Sequence, residues 1–202
     1  VKFGQQIQGR DWHSTATLEG LLSRNNGSSL NLSKFARASL GTAYRPQNKD
    51  DLAALMMYTF LYDLPPEVQL NSSQLSQIAH LFSVEASYRI TERLRLGAKA
   101  GFKLGKQTTN RTSQDWSKAL VQLGILKGDL KLTNRLNATL EGRLMSVSDQ
   151  RSLKTAVVGS LYYRFGNNTK FGVGYNYGGV TNNLEDHTRN ERGWFLNLVS
   201  SF

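Results

Sequence analysis

The sequence predicts an all-β chain, an antiparallel up-and-down transmembrane β-barrel of about 10–12 strands. Three observations predict it. Apolar and polar residues alternate over long runs, and tight turns alternate with long polar connections. The longest strongly apolar stretch, Leu52 to Tyr62, falls far short of the ~18 residues a membrane helix needs. A barrel escapes that last limit because only every second residue of a strand meets lipid, so the average composition stays polar.

The elements follow in order. Residues 1–8, turning at Gly9-Arg10-Asp11, have the length of a strand whose hairpin partner would precede Val1. Strands are then expected at 12–23 and at 34–45, where Ala36, Ala38, Leu40 and Tyr44 oppose Arg37, Ser39, Gly41 and Arg45. The next, 51–62, is partly apolar on both faces, which points to a bulge or to a contact with an interior plug. Over 77–90, Ile78, Phe82, Val84, Ala86, Tyr88 and Ile90 share a face against Ser83, Glu85, Ser87 and Arg89. The clearest run is 94–104: Leu94, Leu96, Ala98, Ala100, Phe102 and Leu104 oppose Arg95, Gly97, Lys99, Gly101 and Lys103. A period of two over eleven residues fits a strand and not a helix. The strand at 117–132 is again apolar on both faces in part, over 119–132. Those at 135–145, 153–165, 169–177 and 193–202 complete a set of about ten, or eleven with residues 1–8. Barrels of this kind normally carry an even number. Ten strands with an N-terminal lead-in, or twelve with part of the barrel lying upstream, are both consistent.

Short connections (45–50, 91–93, 133–135, 166–168) alternate with longer polar ones (about 24–33, 63–76, 105–115, 146–152, 178–192), the asymmetry of a barrel with short turns on the periplasmic side. Pro46, Pro65 and Pro66 all fall in connections, where a missing N–H costs no ladder bond. The whole of 1–202 reads as one domain, with no linker and no low-complexity segment. The chain starts at Val1 without an apolar leader, consistent with a removed signal peptide or with a piece of something longer.

The chain holds 25 Lys and Arg against 15 Asp and Glu, a net charge of +10. A basic chain raises nucleic acid as a partner, but that needs a contiguous basic face carrying stacking aromatics. Here cations alternate with apolar residues and the aromatics occupy the opposite face, so no nucleic-acid partner is expected. The same parity turns Arg37, Arg89, Arg95, Lys99, Lys103, Arg143, Lys154, Arg164 and Lys170, with Arg45, toward the lumen, against few acids such as Glu85 and Glu141. Small barrels usually fill such an interior with ion pairs and hydrogen bonds, whereas an open ring of Arg and Lys would select anions.

A soluble sheet would also alternate, with its apolar face on a core. Against that reading, Gly, Ser, Arg and Lys fill the polar face, and aromatics such as Tyr44, Tyr58, Tyr88, Tyr163, Tyr177 and Trp194 gather at strand ends as interfacial girdles do. The last strand, Gly193 to Phe202, resembles the C-terminal insertion signal of bacterial outer-membrane barrels, with Trp194, Leu196, Leu198 and Phe202 at the lipid-facing positions and Ser200 departing from the pattern. A wider resemblance rests on Ala43-Tyr44-Arg45-Pro46, Asp51-Leu52, Tyr58 to Pro66, Tyr163 to Asn168 and Gly172 to Tyr177. These runs resemble the C-terminal barrel domain of large Gram-negative cell-surface proteins. The resemblance implies a membrane anchor in the bacterial outer membrane. It also implies outer-membrane lipid and lipopolysaccharide, the barrel insertion machinery, and upstream surface domains or other envelope proteins as partners.

No catalysis, cofactor or metal is expected. Without cysteine there is no thiolate chemistry. The three histidines are His13, His80 and His187. His80 with Ser76, or His187 beside Glu185 and Asp186, has the composition of a rim base, but neither has the spacing of a metal site or triad. The expected function is an anchor or structural barrel of a surface protein, and the alternative is a small anion-preferring channel.

Overall fold

The computed structural model of the chain describes residues 1–23, 33–47, 51–65, 76–108, 116–148, 152–165, 169–180, 184 and 192–200. Eleven strands lie among them: β1 (Lys2–Gln8), β2 (Trp12–Ser23), β3 (Ser33–Tyr44), β4 (Leu52–Leu64), β5 (Ser76–Arg89), β6 (Leu94–Thr108), β7 (Ser117–Lys131), β8 (Leu136–Val147), β9 (Ser152–Phe165), β10 (Thr169–Gly178) and β11 (Gly193–Ser200). They form a single sheet in chain order, every neighbour pair antiparallel. This is the up-and-down architecture that the alternation predicts. Residues 1–8 supply a full strand, paired with β2 from Lys2 opposite Glu19 to Gln8 opposite His13. Phe202 lies outside the described residues, so the terminal position of the insertion strand does too.

The registers run without a break, so side chains keep their faces from strand to strand. One face carries Leu40, Met56, Phe82, Leu96, Leu126, Leu140, Leu153, Leu161 and Leu196, all exposed, with Leu126 71% and Leu140 63% accessible. The opposite face curls inward. Its residues from β4 to β9 meet in one buried apolar cluster, which a flat sheet would keep far apart. An outward surface so rich in exposed Leu and Phe is not compatible with water and is what a lipid-facing wall requires.

Aromatic rings border this wall on both sides. Near the tight turns, Trp12 packs on Tyr44 with ring centroids 4.6 Å apart, and Tyr163 meets Phe165 edge-on at 4.7 Å. Toward the long connections, Tyr175 meets Trp194 edge-on at 5.2 Å, and the Tyr58 hydroxyl hydrogen-bonds His80 Nδ1 at 2.8 Å. Rings with an apolar body and a polar edge suit the two membrane–water interfaces.

Two of the tight turns share a device. Thr91-Glu92-Arg93-Leu94 and Thr133-Asn134-Arg135-Leu136 both use the threonine hydroxyl as an acceptor, taking the Leu94 N–H at 3.0 Å and the Leu136 N–H at 3.0 Å. The hydroxyl closes the turn where the ladder runs out of partners.

The edges of the sheet, β1 and β11, do not pair with one another among the described residues. β1 is accordingly exposed along its whole length. A positive charge in the middle of the outward wall has a definite cost. Leu126→Arg is expected to destabilise the barrel folded in lipid vesicles by about 2–4 kcal/mol, read from urea unfolding. The same change in a detergent-free aqueous sheet would be nearly neutral, so an unchanged midpoint in vesicles would contradict the lipid-facing assignment.

Candidate functional site: the lumen

The inner face has two halves of opposite chemistry. Toward the long connections it is apolar. Leu61 and Leu81, Leu123 and Ile125 of β7, Met145 and Ala156 are buried together with Val180 and Leu184 from the segment that follows β10. The partly apolar inward positions of β4 and β7 are thereby explained as contacts with interior packing. Their registers with β5, β6 and β8 continue without a bulge. Val180 is held in place by its carbonyl, which accepts from Arg143 Nη1 at 2.8 Å. Leu184 sits so close to Gly101 that a Cβ there would lie 2.6 Å from its Cδ1. A Gly at 101 therefore makes room for the inserted side chain.

Toward the tight turns the lumen is polar and charged. It holds an open cavity of about 660 Å³ walled by strands from β5 to β11. Several charges here are paired. Arg143 Nε meets Glu141 at 2.5 Å with both side chains largely shielded, and Lys127 meets Asp129 at 3.4 Å. Asp129 also accepts the Thr139 hydroxyl at 2.7 Å. On the far side of the inner face, Lys2 and Glu19 pair at 2.6 Å.

The register sets the place of each basic residue singled out by the sequence. Arg37 lies opposite Glu19 on the inner face, with its Nε 3.4 Å from the Ser39 hydroxyl. Arg89, Arg95, Arg143, Arg164 and Lys170 wall the charged cavity. Lys99 lies opposite Glu85. Lys154 lies opposite Met145, and Lys103 opposite Val121, both inward but in the apolar half. Lys103 is 1% exposed, and its Nζ donates to Gln77 Oε1 at 2.8 Å. The basic set is thus divided between two environments that alternation alone does not separate. Trp194, Leu196 and Leu198 of the terminal strand face outward and are exposed.

Two further pairs carry no sequence signal of their own. Tyr162 lies directly across from Gly172, and Phe195 across from Gly174. A Cβ at either glycine would collide with the facing ring, so the rings occupy the space that a side chain on β10 would fill. Covering glycine in a strand with a cross-strand aromatic restores packing that the missing side chain forfeits.

Among the described residues, His80 does not come together with Ser76 as a rim base. His80 projects to the outer face, bonded to Tyr58 and packed on Phe60 with centroids 5.2 Å apart. Ser76 is buried at the start of β5, and His187 lies outside the described residues. No group of three His, Cys, Asp or Glu side chains that could hold a metal forms among the described residues.

No family model and no curated protein matches the sequence of the chain. Solved structures match its fold. The NanC porin aligns with a TM-score of 0.56 at 11% identity over 100% of this chain and 98% of that one. A loop-deletion variant of OmpT, an outer membrane protein of Vibrio cholerae, aligns at 0.56 and 12% over 98% of this chain and 62% of that one. The Pseudomonas putida toluene transporter TodX aligns at 0.52 and 14% over 100% and 73%. The fold is that of an outer-membrane β-barrel. The outward leucine wall and its aromatic borders are then the membrane-spanning surface of this barrel, and the curled face is its lumen.

Arg143 joins the two halves of that lumen. Arg143→Ala is expected to lower stability by about 1–3 kcal/mol, because it strands the Glu141 carboxylate and frees the Val180 carbonyl. Adding Glu141→Gln to that variant should recover part of the loss, a non-additivity that urea titration of the four proteins would measure.

Proposed function

We propose that this chain resides in the bacterial outer membrane as an anchoring, structural barrel of a cell-surface protein, and that it does so without catalysis. The carrying observation is the apolar packing inside the loop-side half of the lumen, where Val121, Met145, Val180 and Leu184 are at most 5% exposed. A barrel whose bore is filled by packed Leu, Ile, Met and Val presents a hydrophobic barrier to hydrated ions. The placement of His80 in the aromatic border, bonded to Tyr58, favours a structural role for that histidine. Lipopolysaccharide and lipid against the outer wall, the insertion machinery acting on the last strand, and upstream surface domains complete this reading.

The channel alternative draws on one observation, the excess of Arg and Lys around the turn-side cavity. The anchor reading expects the purified barrel to stay silent in planar bilayers, with no stable unitary steps. Steps with anion selectivity in the unmodified protein would overturn it in favour of a pore. Under the same reading, fusing a reporter domain to the N-terminus should place that domain at the cell surface, where added protease releases it from intact cells.

A further inference from the structure

Among the described residues, the charged half of the lumen carries more cation than its acids pair. The cavity of about 660 Å³ is lined there by eight Arg and Lys side chains and three acids. Two of those acids are already engaged, Asp129 by Lys127 and Glu141 by Arg143. Among the described residues, Arg95, Arg164 and Lys170 have no ion pair.

The register makes this excess costlier still. Arg164 stands directly opposite Lys170 on the inner face, and Arg89 stands directly opposite Arg95. Like charges placed across from one another on the same face of a sheet oppose folding. Asp51 offsets the second pair only from 3.9 Å. Both pairs open onto the same cavity, one from the β5–β6 wall and one from the β9–β10 wall. The cavity is a vestibule on the turn side of the lumen: Thr91, Glu92 and Arg93 of a tight turn line it, and Arg143 links it to the packed half through the Val180 carbonyl.

We propose that this vestibule is a binding site for a small anion carrying two or more carboxylate or phosphate groups, which bridges the Arg89/Arg95 and Arg164/Lys170 pairs. Guanidinium forks suit both kinds of group, and a bound anion turns each repulsive pair into an attractive triple. Asn137 and Asn197 also line the cavity and supply neutral donors for the rest of the ligand. The cavity volume suits a ligand of metabolite size and not a folded domain. The proposal goes beyond the closed-lumen reading given above, and its binding chemistry does not depend on that reading.

The test uses the whole barrel, refolded in detergent, with pyrophosphate and citrate as probes in isothermal titration at low and at raised salt. One equivalent should bind saturably, and Arg164→Gln/Lys170→Gln should weaken the affinity at least about tenfold. Lys106 and Lys118 are exposed and face each other on the outer wall, and Lys106→Gln/Lys118→Gln, which removes the same charge there, should leave the affinity within about twofold. Without ligand, the Arg164→Gln/Lys170→Gln variant should unfold at a higher urea concentration than the parent, because a repulsion has gone. A cation kept for structural pairing would move that midpoint down. Absence of saturable binding, equal weakening by the outer-wall variant, or a lowered midpoint would each overturn the site. Binding of an acidic peptide with neither probe binding would also overturn it. Unitary conductance together with probe binding sinks the closed-lumen reading and leaves the site standing, whereas a silent barrel that binds no probe does the reverse.

Discussion

A strand that crosses hydrocarbon has no water to satisfy its peptide groups, and each unpaired N–H or C=O there costs several kcal/mol. Everything else in this molecule is arranged around that demand. The ladder from β1 to β11 pairs each strand with its neighbour through uninterrupted antiparallel registers. Because the side-chain period is two, the same ladder sorts the chain into a wall of leucine and aromatic residues outside and a mixed face inside. One slipped residue in a single strand would move its arginines into lipid and its leucines into the lumen. The turns carry part of this burden, and the threonine hydroxyls of Thr91 and Thr133 hold two of them at the length that keeps the register.

The interior meets a different requirement, because a curled sheet of this size encloses more space than its backbone can fill. Half of it is filled as a soluble core would be, with Val180 and Leu184 brought in from beyond β10 and fastened through Arg143. The other half stays open and charged. Arg143 belongs to both, one nitrogen on the Val180 carbonyl and another on Glu141. Loss of that one side chain would disturb the packed half and the charged half together, which is why it matters more than its neighbours on β8.

Much of the fold was legible in the sequence because a strand's faces are written in adjacent letters. Leu94 to Leu104 declares its register without reference to any other strand, and the alternation of short and long connections orders the strands along the sheet. The inward parity of the basic residues follows from the same rule. What alternation could not carry is depth. It does not say that Lys103 and Lys154 sit in the apolar half while Arg95 and Arg164 line a cavity, since both sets obey one period. Cross-strand partners were equally hidden: Tyr162 over Gly172, Phe195 over Gly174, and the facing cations of β9 and β10 depend on register between segments. The doubly apolar stretches of β4 and β7 were compatible with a bulge or with interior packing, and the residues that settle it, Val180 and Leu184, lie in a polar connection that composition does not single out.

Among the described residues the two margins of the sheet, β1 and β11, are unpaired, and a consequence follows from counting alone. Strands that alternate in direction make the first and the eleventh point the same way, so β1 and β11 are co-directional rims. Joined to each other, they would form a lone parallel seam with slanted, slightly weaker bonds in an otherwise antiparallel wall. A ribbon of backbone running opposite to both would instead satisfy the two rows of peptide groups at once. The gap thus has a polarity as well as a width, and it discriminates between chain directions before any side chain is read.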